Sequence, residues 1–146
     1  MTYPDAPLAV ADVPSITSAT RIGITWTAGV ANGGAPVLDY QLWYDQANGN
    51  YVILASSVTL LPFTATGLVT GNIYKFKVLA RNIFGYSVFS DKVNILAAQA
   101  PAQPTAPTTA ISGSTILITW TAPSTMGSPI TSYTILIRQA NGSSFS

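Results

Sequence analysis

The chain contains no cysteine, no histidine and no glutamate. Without thiol or imidazole there is no disulfide, no Cys-His or Ser-His-Asp nucleophile, and no zinc or iron site of the usual kinds. A glycosidase-type carboxylate pair would have to come from Asp5, Asp12, Asp39, Asp45 and Asp91, which are scattered along the sequence. Neither enzyme chemistry nor a cofactor is expected from this inventory. Charge is also scarce: 8% of 146 residues, against a usual share of about 25%. A net charge of +1 leaves no electrostatic footprint for nucleic acid or anionic lipid. Long apolar runs are missing too, although 48% of residues are hydrophobic. The most apolar stretch, Val52 to Phe63, is broken by Ser56, Ser57, Thr59 and Pro62. That falls short of the roughly 18–20 residues a spanning helix needs, so membrane insertion is not expected. Met1 to Asp5 has neither a basic nor an apolar signal region, so no signal peptide is expected. The lack of cysteine leaves the redox compartment open, because a β-domain of this size buries enough apolar area without staples.

What is present is short alternating segments between turn residues. Eleven glycines and ten prolines punctuate the chain, and no helical period persists. Arg21 to Thr27 places Ile22, Ile24 and Trp26 on one face. Leu38, Tyr40, Leu42 and Tyr44 share a face opposite Val37, Asp39, Gln41 and Trp43. Tyr74, Phe76, Val78 and Ala80 point inward, with Lys75, Lys77 and Leu79 outward. Such one-sided burial predicts antiparallel sandwich strands.

The sequence also repeats. ITWTA at Ile24–Ala28 returns at Ile118–Ala122, an offset of 94, and QANG at Gln46–Gly49 returns at Gln139–Gly142, an offset of 93. GGAPVLDY at Gly33–Tyr40 matches GSPITSY at Gly127–Tyr133 with one deletion. The expected organisation is a complete module at 4–98, a Pro-rich linker at 99–107 and the N-terminal half of a second module at 108–146. Prolines 101, 104 and 107 favour extended backbone, hence a semi-rigid joint. Tyr3-Pro4-Asp5-Ala6-Pro7 resembles the end of that linker.

These residues carry a family resemblance. Trp26, the Gly33-Gly34-x-Pro36 approach to Tyr40, Tyr74 after Leu68–Ile73, and the Ala80, Asn82, Gly85, Ser87, Ser90 tail resemble a fibronectin type III domain. The resemblance implies an all-β, immunoglobulin-like, seven-stranded β-sandwich plus an incomplete second copy, and makes Tyr74 the residue whose hydroxyl ties back to nearby backbone. The second copy matches through strand C by Trp120, Pro129–Tyr133, Ile135 and Ile137. More narrowly, the wording is similar to tandem-repeat surface proteins of ciliated protists, and bacterial modules attached to polysaccharide-degrading enzymes share G-G-x-P-I-T-x-Y.

Interaction candidates follow from phase. Trp43 sits outward on strand C where a polar residue is expected, and Leu136 holds the equivalent place in the second copy; an apolar residue there in both suggests a covered sheet face. Lys75, Lys77 and Leu79 would share that face, with a lysine offering a cation–π contact to Trp43. The alternative is a singly exposed aromatic shielded by lysine stems. Asn48-Gly49 and Asn141-Gly142 read as two-residue hairpin turns, and Asn141 also begins the chain's one glycosylation sequon. Asp39 and Asp45 read as solvated surface carboxylates.

A half-module would expose Ile116, Ile118, Trp120, Ile135 and Ile137, at a cost on the order of 10 kcal/mol. The polypeptide is therefore expected to continue, with completion by another copy as the alternative. The reading is a non-catalytic structural and interaction module of a tandem-repeat extracellular, cell-surface or ciliary fibre protein, partnered by further copies or adjacent repeats. The competing reading is an adhesion or carbohydrate-binding accessory module of a larger secreted protein or enzyme, acting through the Gly-rich, mobile loop Ala28–Pro36.

Overall fold

The structure is a computed structural model that describes residues 1–138; these form strands, turns and bends without a helix. Side-chain alternation sets the layers. β2 (Ile22–Thr27) turns Ile22, Ile24 and Trp26 inward, all buried. It is the middle of a three-stranded antiparallel sheet, with β1 (Leu8–Asp12) on one side and β5 (Phe63–Ala65) on the other. The larger sheet is built on β6 (Ile73–Asn82). One edge of β6 pairs with β3 (Asp39–Tyr44), outside which lies β4 (Val52–Val58). The other edge carries two short pieces, β7 (Gly85–Tyr86) and β8 (Val93–Leu96). With β7 and β8 as parts of one interrupted strand, this is the expected seven-stranded sandwich. Leu42, Tyr74, Phe76 and Val78 of the larger sheet pack on Ile22, Ile24 and Trp26 of the smaller one. Trp26 meets Tyr40 edge-on, ring centroids 5.5 Å apart.

Three polar devices close the module. The Tyr74 hydroxyl accepts the Val69 amide at 2.9 Å, which is the tie-back the resemblance implied. Ser87 and Ser90 replace the missing part of the interrupted strand. The Ser87 amide donates to Ala80 O while Ser87 Oγ accepts the Ala80 amide; Ser90 does the same at Val78. Each serine thus satisfies a buried donor and acceptor of β6 that a regular strand would have paired. Asn82 Nδ2 donates to Thr2 O and Asn32 O, tying the chain start to the β2–β3 loop.

Several expectations need correction. Leu38 is exposed: it stands just before β3, and although its amide donates to Arg81 O at 2.7 Å, its side chain does not reach the core. Asn48-Gly49 is not a two-residue hairpin turn. The connection runs from Tyr44 to Val52 and wraps Asp45, whose carbonyl accepts the Asn48 and Gly49 amides at 3.0 and 3.1 Å. Gln46, Ala47 and Gly49 all take positive φ to do so. The counterpart at Asn141-Gly142 lies outside the described residues. In the second copy, β9 (Thr108–Ser112) and β10 (Thr115–Thr119) pair as a hairpin, and Trp120 meets Tyr133 at 5.4 Å as Trp26 meets Tyr40. The expected third strand at Tyr133–Ile137 is not formed among the described residues. β3 is flanked by β4 and β6, whereas no strand pairs with Tyr133–Ile137 among the described residues.

Candidate functional site: the outer face of the larger sheet

Register brings the predicted side chains of the first module together. Trp43 stands opposite Ile53 on β4 and Lys77 on β6, so the three share the outer face. Trp43 is half-buried; its Nε1 donates to Gln41 Oε1 at 2.8 Å, and Gln41 Nε2 donates to Ser56 Oγ at 3.1 Å. Phe89 stands edge-on to Trp43 at 5.6 Å. The lysines depart from expectation. Lys77 Nζ lies 4.0 Å from the Tyr51 ring centroid and 3.8 Å from that of Phe89, so its ammonium sits between two aromatic faces and not over Trp43. Lys75 turns to Asp45, 3.7 Å away. Leu79 points outward by phase yet is only 9% exposed. Its neighbours Val78 and Ala80 are bonded to Ser90 and Ser87 on one side, and Gln41 lies opposite on β3. Leu79 therefore presents little surface on this face. Tyr51 and Phe89, which sequence phase did not single out because they lie outside regular strands, take its place.

The two aspartates are the largest correction. Neither is a solvated surface carboxylate: Asp45 is 1% and Asp39 6% exposed. Asp45 Oδ1 accepts the Ala47 amide at 3.0 Å and the Lys75 amide at 2.9 Å, joining the β3–β4 loop to β6. Asp39 forms a two-pronged pair with Arg81, Nε to Oδ1 at 2.9 Å and Nη2 to Oδ2. That hydrogen-bonded pairing holds the Asp39 carboxyl below the usual carboxylate range, against the upward push of burial. A depressed native pKa means the stabilisation is complete above the unfolded value near 4 and is lost as pH falls through the native value. Asp39→Asn is accordingly expected to flatten the acid limb. Urea melts at pH 7 and pH 3 should show the wild-type advantage shrinking with acidification, and a constant difference would contradict the assignment.

Leu136, the second-copy candidate, is exposed beside Trp120, Tyr133 and Ile135 in a groove of about 360 Å³ walled by Gln103–Pro107. Asn141 lies outside the described residues. The Gly-rich β2–β3 loop, expected to be mobile, is strapped by the chain start. The Thr2 and Asp5 amides donate to Gly33 O and Ala31 O, and the Asp5 carboxylate accepts the Ala31 amide at 2.9 Å. No group of three or more metal-ligating side chains stands together among the described residues, and no helix is long and apolar enough to cross a membrane. The outer face can therefore offer stacking, a shielded cation and amide hydrogen bonds.

The fibronectin type III domain profile matches residues 6–95. The chain is 33% identical over 88 residues to the Xenopus laevis protein "Cell adhesion molecule-related/down-regulated by oncogenes", covering 58% of this chain and 7% of that one. It is 29% identical over 130 residues to receptor-type tyrosine-protein phosphatase F of Danio rerio, covering 84% of this chain and 6% of the relative. Among solved structures, the sixth fibronectin type III domain of human fibronectin type III domain containing protein 3 superposes with a TM-score of 0.58 at 23% identity, covering 70% of this chain and 95% of that domain. The chain thus spans a small part of its curated relatives and nearly the whole of the single domain.

Proposed function

This chain belongs to the fibronectin type III family, and on that premise we propose that it is a non-catalytic structural and interaction module of a tandem-repeat extracellular or cell-surface protein. It works by spacing and by contact between modules. Repeats about 94 residues apart, joined by a proline-rich segment, set the distance between binding faces. One observation carries the reading: the repeat returns the core residues of the first module at positions where they stand open. Trp26 and Leu42 are buried, while their counterparts Trp120 and Ile135 are 39% and 47% exposed. Apolar faces of this kind in a tandem sequence fit completion by further repeats. The near absence of charge favours close packing of neighbours, because repulsion between them is small.

The test is the denatured intact mass of the native polypeptide. A mass far above 15.3 kDa supports the array, and sugar heterogeneity would bring in the Asn141 sequon. A native mass of 15.3 kDa would overturn it. The names of two relatives, one cell adhesion molecule-related and one a receptor-type phosphatase, favour a second reading, an adhesion or receptor accessory module using the Trp43, Phe89 and Tyr51 cluster. Trp43→Ser separates the two: normal assembly with lost ligand binding would favour the second.

A further inference from the structure

The chain start and the linker make the same pair of backbone bonds. The Thr2 amide donates to Gly33 O and the Asp5 amide to Ala31 O, both at 2.8 Å. After β8, the Gln99 amide donates to Met126 O at 3.1 Å and the Ala102 amide to Ser124 O at 3.2 Å. The donors are 97 residues apart in each case and the acceptors 93. Backbone conformation repeats as well: Gly33 and Gly34 have φ of 74° and 87°, Met126 and Gly127 of 49° and 97°. This sets the linker register at 97, pairing Pro4 with Pro101 and Pro7 with Pro104. The resemblance of residues 3–7 to the end of the linker is thus a shift of three residues from the structural one.

The surroundings differ in two atoms. A Cβ on Gly127 would lie 3.1 Å from Ala98 Cβ, 2.8 Å from Ala97 O and 3.0 Å from the amide nitrogen of Gly71, in the β5–β6 turn of the first module. A Cβ on Gly34 would lie 3.5 Å from Met1, the counterpart of Ala98, with nothing in the places of Ala97 O and Gly71. At the occupied joint the contact is backbone on backbone. Gly71, with φ of 84°, donates its amide to Ala97 O, and the Ala97 amide donates to Asn72 O. At the open site Met1, Val30 and Gly34 are exposed around a hollow that no charged side chain lines.

We propose that the hollow at Met1 and Gly34 is the receptor for the β5–β6 turn, Thr70-Gly71-Asn72, of another copy of this module. The internal joint identifies the occupant, since it shows this loop conformation and this strap already seated on that turn. The inference rests on the array reading and specifies how consecutive modules meet: through a glycine on each side, at a fixed register, with the interposed strap as the third layer.

The test is a chain in which residues 1–97 precede the full 146-residue chain, so that Ala97 leads into Met1 as it leads into Ala98. The added copy holds the whole buried core cluster. The expected result, by amide NMR, is displacement of the Ala31–Gly34 signals from their positions in the 146-residue chain, reversed when the added copy carries Gly71→Val. Because Gly71→Val puts a β-branched side chain at a φ of 84° and so strains that copy, a nitroxide on Asn72→Cys of the added copy gives a second reading. It should broaden the Ala31–Gly34 signals strongly if the turn is seated. Unchanged signals, equal displacement with the Gly71→Val copy folded, or no broadening would overturn the docking. These outcomes leave the native mass untouched, whereas a native mass of 15.3 kDa removes the array whatever the added copy does.

Discussion

Replacing Phe76 by alanine is expected to destabilise the first module by about 3–5 kcal/mol. Phe76 is fully buried, stacks with Tyr44 at 6.4 Å, and lies on the one strand that pairs with β3, β7 and β8. Truncating it removes apolar contact with both sheets, and two close-packed layers fill such a gap only in part. The loss is a large share of the roughly 5–15 kcal/mol a domain holds. Urea unfolding followed by tryptophan fluorescence measures it, with Ile83→Ala, at an exposed turn, as a control that should change little. A cost below about 1 kcal/mol would mean the sheets do not meet at Phe76.

Asp45→Ala is expected to be nearly as damaging, about 2–4 kcal/mol, for a polar reason. It leaves two amides, of Ala47 and Lys75, without their acceptor in a partly buried setting, and each such loss costs about 1–3 kcal/mol. The ion pair adds little, because the lysine side chain is 40% exposed. Asp45→Asn keeps a side-chain oxygen for both amides and should recover most of the loss. If Asn were as destabilising as Ala, charge and not amide capping would be the dominant contribution.

How much of this was legible in the sequence depends on the kind of force. The layers and the core at Ile22, Ile24, Trp26, Leu42 and Phe76 were readable because burial on one sheet face imposes a period of two. Tyr74 was readable because its motif is local. The aspartates were misread because phase puts them outward, while their burial depends on Arg81 and on the Lys75 amide, 42 and 30 residues away. The same holds for Lys77: alternation gives its face, but Tyr51 and Phe89 reach it from irregular segments. The Asn48-Gly49 turn failed because Asp45 competes for the same amides and lengthens the loop. The linker register failed because it is set by main-chain hydrogen bonds, which leave no mark in side-chain spelling.

The serine-interrupted strand bears on a hazard of repetition. In the array proposed above, adjacent modules of similar sequence would emerge from synthesis together, and the outermost strand of one would be a template on which its neighbour could mispair. Here that border is cut into β7 and β8, and between them Ser87 and Ser90 occupy the ladder positions of β6 with their own hydroxyls. A foreign strand finds only two short rungs before the chain swings away. In such an array, the same hydroxyls that complete the native ladder would leave a neighbouring module little open edge to pair with.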